Sequence, residues 1–225
     1  MITLIVLAGA VSACTATPPA TPPTVDPVPS ETAAAAEPDR ILIGAETTDV
    51  VSENGTVLLS LRYSENGDEA VVAAVNILGE LQGTHHQDGS NHYPEMDGTS
   101  WGGFDIVVNR YSIEAMPTGE ASLYKPAFSV QATAATTDGG LAIASVDGTS
   151  VGDDFDSVAS LQDANRVHVD DTFGLRSVAL DLPTSFPGIV VDPGIDMAYG
   201  VIGQSDQGSS TITKIIAPSF LFSQA

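Results

Sequence analysis

The chain has 225 residues, with 29 Asp and Glu against seven Lys and Arg and a formal net charge of −22 at pH 7. That charge repels nucleic-acid phosphates and anionic lipid headgroups, so neither is an expected direct partner. Hydrophobic residues make up 43%, enough for one domain or two small ones, and the single cysteine, Cys14, leaves no internal disulfide.

Thirteen uncharged residues, MITLIVLAGAVSA, precede Cys14. As a helix they would span about 20 Å, short of a hydrocarbon core of about 30 Å, so a stable transmembrane helix is not expected. Ala8, Gly9, Ala10, Ser12 and Ala13 supply the small residues of a cleavage site. Val11-Ser12-Ala13-Cys14 resembles the lipobox of bacterial lipoproteins. The resemblance implies a signal peptide over residues 1–13, cleavage before Cys14 and a lipid on its thiol. It further implies attachment to the outer face of the bacterial cell membrane. No Lys or Arg precedes Cys14, whereas signal peptides ordinarily open with positive charge. The bland alternative is a buried strand with a core cysteine. The next residues oppose it: 15–39, TATPPATPPTVDPVPSETAAAAEPD, are too poor in large apolar side chains to offset chain entropy. Residues 14–39 are therefore expected to form a Pro/Thr/Ala-rich disordered tether below a folded part starting near Arg40.

Ile41-Leu42-Ile43 reads as a strand, and DVVSENGTVLLSL (49–61) as two strands joined through Asn54-Gly55, a strong hairpin signal. Residues 66–78 predict a helix: Asn66 can cap it, Asp68 and Glu69 suit its first turn, Gly79 can end it, and Val71, Val75 and Leu78 share a face. Residues 83–98, GTHHQDGSNHYPEMDG, read as a long polar loop. Residues 101–111 return to strand, with Phe104, Ile106 and Val108 on one side.

Met116 to Pro126 reads as a linker, followed by two strands around Asp138-Gly139-Gly140. A short acid-capped helix over 153–161 should bury Phe155, Val158 and Leu161. Strands are expected at 167–169 and 176–182, and 186–193 reads as a Pro-bounded loop or edge strand. Residues 197–203 and 211–217 predict a closing hairpin across Ser205-Asp206-Gln207-Gly208.

The expected fold class is α+β, mostly antiparallel sheet with two short helices, as two similar tandem halves over 40–115 and 126–225. The shared order of hairpin, helix and strands suggests a pseudo-repeat of 40–111 and 127–225. In the second half, Ser150-Val151-Gly152-Asp153 with Val158 and Leu161, closed by Ile212-Thr213-Lys214-Ile215, is similar to β-lactamase-inhibitor-type modules and small envelope-assembly lipoproteins. That resemblance implies a helix-on-sheet binding module without an active site.

Four constellations could carry chemistry. Gly-x-Ser-x-Gly occurs at 98–102 and 148–152. A nucleophile elbow needs a strand before the serine and a helix after it, which only Ser150 approximates, with His168 as the one later histidine. Two Gly/Ser turns are the simpler explanation. His85, His86, Asp88, His92 and Glu95 offer imidazole and carboxylate ligands, against a solvated polar loop. Asp147, Asp153, Asp154 and Asp156 could gather calcium, against turn and helix-cap acids. Trp101-Gly102-Gly103-Phe104 sets two rings about a Gly pair, either in the core or as a contact surface. The expectation is a non-catalytic binding or scaffolding domain with no cofactor, no metal and no catalytic residues. Its candidate ligand surface is Trp101, Phe104, His85 and His92. Its expected partners are the membrane, through lipid on Cys14, and another envelope protein or small ligand. The alternative is an extracytoplasmic hydrolase or metal-binding protein using Ser150 or the loop of His85, His86 and His92.

Overall fold

Alternating apolar residues force strands to lie with one face inward, and that period sets most of this architecture. In a computed structural model of the chain, residues 36–90, 95–110, 126–170, 174–182 and 197–222 are described. Cys14, most of the tether, His92, nearly all of the linker and the 186–193 loop lie outside them.

Strands β1 (Pro38–Ile43), β2 (Thr47–Ser52) and β3 (Val57–Arg62) form an antiparallel meander. The β2–β3 turn closes with the Ser52 N–H donating to the Thr56 carbonyl at 2.9 Å and the Gly55 N–H to the Ser52 carbonyl at 2.8 Å. Gly55 sits at φ 81°, and among the described residues no non-Gly residue has positive φ, so Asn54 keeps an ordinary backbone. This is a three-residue loop with a glycine bulge. The same closure recurs at Ser145-Val146-Asp147-Gly148-Thr149, with bonds of 2.8 and 2.9 Å and Gly148 at φ 91°. In both, the first serine's hydroxyl donates to the side chain two residues on, Asn54 or Asp147.

Helix α1 (Gly67–Leu78) follows β3. Asn66 Oδ1 accepts from the N–H groups of Asp68 and Glu69, and the Gly79 N–H donates to the Val75 carbonyl, so both ends are capped as their residue types require. The buried stripe centres on Ala70 and Ala74, with Val71, Val75 and Leu78 half-buried beside it. Small residues at the contact let the helix lie close across β3 and the strand Phe104–Arg110.

The expected polar loop over 83–98 is instead a hairpin, β4 (Gly83–Gln87) and β5 (Glu95–Ser100), paired from Gly83↔Ser100 to Gln87↔Met96. Strand β6 (Phe104–Arg110) pairs next to β5, and Trp101-Gly102-Gly103 makes the turn between them. Gly102 and Gly103 have φ of 66° and 80°, and a Cβ on Gly103 would sit 2.6 Å from the Thr136 carbonyl oxygen, so both backbone angle and space demand glycine.

The remaining strands are β7 (Phe128–Ala132), β8 (Ala142–Ser145), β9 (Val167–Asp170), β10 (Leu175–Asp181), β11 (Met197–Ser205) and β12 (Lys214–Phe222). The closing hairpin β11–β12 forms as expected. Two sheets result: β3-β2-β1-β8, and β4-β5-β6-β7-β12-β11-β10-β9. Strands β7 and β8 do not pair with one another. Strand β8 runs parallel to β1, while β7 joins β6 to β12. Both sheets therefore draw strands from both proposed tandem halves, 40–115 and 126–225, and neither half builds a sheet alone. The architecture is mostly antiparallel sheet with two helices, and its helical content is low for an α+β fold.

Helix α2 (Phe155–Ser160) is capped by Asp154, whose carboxylate accepts from the Ser157 N–H at 2.8 Å. It buries Phe155 and Val158, but Leu161, expected inside, is 83% exposed. Each i+3 step turns about 60° back around the helix axis, so the third residue leaves the stripe.

One cluster joins both sheets: Ile41, Ile43, Val50 and Leu61 from the smaller, Phe104, Ile106, Phe128, Val130, Val178 and Ile215 from the larger. Tyr63 is fully buried at the junction. Its hydroxyl donates to the Gly44 carbonyl and lies 2.8 Å from Thr48 Oγ1, and its ring meets Phe128 edge-on at 5.6 Å. The Ala45 N–H donates to Asp181 Oδ2 at 2.8 Å, a second tie between the sheets. Among the described residues, no buried side-chain polar atom lacks a partner and no helix is long and apolar enough to cross a membrane.

Trp101 is 3% exposed, its indole N–H donates to the Gly79 carbonyl at 3.1 Å and its ring lies 6.2 Å from Phe104. Trp101→Ala is therefore expected to cost about 3–5 kcal/mol in urea unfolding, whereas a surface tryptophan would cost under about 1. A Cβ on Gly67 would fall 2.7 Å from buried Val108 Cγ1. Gly67→Ala should destabilise by about 1–3 kcal/mol through overpacking, despite alanine's better helix propensity, as a lowered thermal midpoint would show.

Candidate functional site

Neighbouring residues on a strand face opposite ways, and this separates His85 from His86. His85 pairs across from Gly98 and His86 across from Asp97. The His85 ring lies directly over Gly98, where any Cβ would collide with it. His86 turns to the other face. Its Nδ1 lies 2.8 Å from Asp97 Oδ1 and its Nε2 3.3 Å from Asp88 Oδ1.

From Asp97 the contacts continue inward. Arg110 Nε donates to Asp97 Oδ2 at 2.8 Å, and its two terminal nitrogens donate to Asp68 at 2.8 and 2.7 Å. A ladder Asp88–His86–Asp97–Arg110–Asp68 thus crosses β4, β5 and β6 to the first turn of α1. The bidentate fork of Arg110 fixes its inner end. Asp68 serves twice, as a favourable helix-start charge and as the arginine's partner.

The charges explain the titration of these groups. The hydrogen bond to Asp97, aided by Asp88, raises the His86 pKa above its ordinary value. Its bonds to His86 and then Arg110 lower the Asp97 pKa, and Arg110 lowers that of Asp68. Arg110 itself is pushed further up and stays charged. Both ring nitrogens of His86 face carboxylate oxygens, which only accept, so the imidazolium satisfies both contacts.

The other sequence candidates are placed as follows. Trp101 and Phe104 belong to the core and present no aromatic rim. His92 lies outside the described residues. Ser150 donates its hydroxyl to the Ile143 carbonyl at 2.9 Å, and its N–H donates to Asp153 Oδ2 at 2.8 Å. His168 lies on β9, at the far edge of the larger sheet, opposite Ser177. The four acids proposed for calcium each hold a local bond: Asp147 with Ser145, Asp153 with Ser150, Asp154 with Ser157, and Asp156 with Arg176. Among the described residues, no three His, Cys, Asp or Glu side chains are placed to hold one metal ion. An acid-lined shallow groove runs beside β1 and the β2–β3 turn, with Glu37, Asp39 and Glu53 on its walls.

Asp97 and Arg110 were not singled out in the sequence, and Asp68 only as a first-turn acid of α1. No apolar period marks 83–87 as a strand, so the pairing of His86 with Asp97 emerges only from the hairpin register. Comparison with protein-family models, curated proteins and solved structures found no match for this chain.

The ladder gives a pH window. A raised His86 pKa contributes stability in full below about 6.5, and this is lost as pH rises through the folded-state value. Lowered Asp97 and Asp68 pKa values contribute above about 3.9, and this is lost as pH falls through theirs. The β4–β5 hairpin should be held best between those limits. In NMR titration, His86 is expected to titrate above about 6.5, and Asp97→Asn should lower that value. An unchanged titration would show that the contact is not maintained in solution.

Proposed function

We propose that this chain is a lipoprotein of the bacterial cell envelope, anchored by lipid on Cys14 to the outer face of the membrane. Its folded domain binds or scaffolds another envelope protein or a small ligand and does not catalyse a reaction. The observation that carries the proposal is the sequence Val11-Ser12-Ala13-Cys14, which ends an apolar run at the chain's one cysteine and precedes 25 Pro/Thr/Ala-rich residues, 15–39. The composition of that stretch suits a spacer.

Support for binding rather than chemistry comes from how the reactive groups are engaged. The Ser150 hydroxyl is committed to a carbonyl, and the acids around it already accept bonds from the Ser150 and Ser157 N–H groups. An oxyanion would need such N–H donors free and aimed at it. His86, by contrast, sits on an exposed strand in a fixed charged setting, which suits recognition.

Cys14→Ser is expected to block processing and lipid attachment, so that the unprocessed protein no longer partitions into the detergent phase. Equal processing and partitioning of variant and parent would reject the anchor. Ser150 is expected not to be labelled by a serine-directed phosphonate. Labelling that disappears in Ser150→Ala would move the protein to the hydrolase class.

A further inference from the structure

A strand at the edge of a sheet carries a row of unpaired N–H and C=O groups, and proteins ordinarily guard such edges with Lys, Pro, bulges or a covering segment. Strand β8, at one edge of the smaller sheet, is covered in this way: the Ile143 N–H donates to the Ala135 carbonyl at 2.8 Å, and Thr136 bridges to Ala142. Among the described residues, strand β4 carries none of these devices. Its sequence, Gly-Thr-His-His-Gln, has no Lys, Pro or acid. All five residues are exposed, and their register with β5 runs unbroken. Among the described residues its one strand neighbour is β5.

The sequence around this edge is mostly acidic. Between Arg62 and Arg110 the chain holds eight Asp and Glu and no Lys or Arg. Arg110 is already taken by Asp68 and Asp97. Asp88, on the same face as His86 at the end of the strand, has its side chain 99% exposed. The ladder through His86, Asp97 and Arg110 ties the hairpin to α1, so the edge is held in an extended form before anything binds. Prior ordering reduces the entropy that strand addition would otherwise cost.

We propose that β4 is a docking edge at which an extended, basic segment of a partner protein adds as a further strand. Main-chain bonds to β4 would supply the affinity. Lys or Arg at alternate positions of the added strand would meet Asp88 and the carboxylates beside it. A second copy of this chain is a poor occupant, because it brings the same negative field to the contact. The proposal rests on the reading of the domain as a binding module, and it specifies the surface and the chemistry of the partner.

The test uses the full-length chain with two synthetic peptides of about ten residues, one alternating Thr and Lys and one alternating Thr and Glu. Hydrogen exchange is followed by NMR at peptide concentrations up to about 1 mM. The Thr/Lys peptide should slow exchange within residues 83–87 by about tenfold, and the Thr/Glu peptide should not. Gln87→Lys, an exposed edge guard, should weaken the effect several-fold at an unchanged thermal midpoint, and Asp88→Asn should also weaken it several-fold. No slowing in 83–87, or equal slowing by both peptides, overturns the proposal. So does protection of 83–87 without peptide that grows with protein concentration, which would assign the edge to self-association. Slowing confined to another surface keeps the binding-module reading and removes β4 from it. Cys14→Ser should leave the peptide effect intact, so failure of the anchor and failure of the edge are read separately.

Discussion

Both sheets have to bury one face in the same hydrophobic cluster, and that constraint organises the rest of the domain. The larger sheet gives it Phe104, Ile106, Phe128, Val130, Val178 and Ile215; the smaller gives it Ile41, Ile43, Val50 and Leu61. A one-residue slip in any of these strands would turn its apolar set outward, so burial fixes register across the molecule. Tyr63 lies where the sheets meet, and it is tolerated there because its hydroxyl is bonded to both Gly44 and Thr48. An unsatisfied buried hydroxyl would be destabilising by an amount comparable to the burial gain of a small side chain.

The same cluster explains the chain path. Strand β8 runs parallel to β1, and its inward residue Ile143 enters the core beside Ile41. Strand β7 bridges the first and second parts of the sequence because Phe128 and Val130 continue the apolar row of β6. Trp101 closes the row at the end of α1, where its indole N–H occupies a carbonyl at the helix C-terminus. The molecule is thereby one interleaved pair of sheets, and the repeated unit in it is the Ser-x-x-Gly-Thr turn at 52–56 and 145–149.

The polar ladder lies at the edge of this arrangement, where burial no longer dictates the residues. The β4–β5 hairpin contributes little to the core, and its order comes from polar contacts across the strands. Such contacts are individually modest at a surface. Their value here is geometric: His86, Asp97 and Arg110 are held in line by three adjacent strands, and Asp68 fixes the line to a helix. In the docking proposed for β4, negative charge near the hairpin would select the partner and the strand edge would hold it.

The sequence by itself determined the elements whose signals are local. Asn66 and Gly79 bounded α1, Asn54-Gly55 marked the first hairpin, the alternation of Phe104, Ile106 and Val108 marked β6, and the turn at 205–208 marked the last hairpin. Each depends on a cap, a turn or a period contained within a few residues. The exposure of Leu161, the centring of α1 on Ala70 and Ala74, and the strand character of 83–87 and 95–100 were not legible, because polar strands and short helices carry too little apolar pattern to fix a face. Only the tertiary structure decided which strands share a sheet and that His86, Asp97, Arg110 and Asp68 meet. Those four residues come from separate elements and are joined by register. Register follows from burying the core as a whole, and no single stretch of sequence contains it.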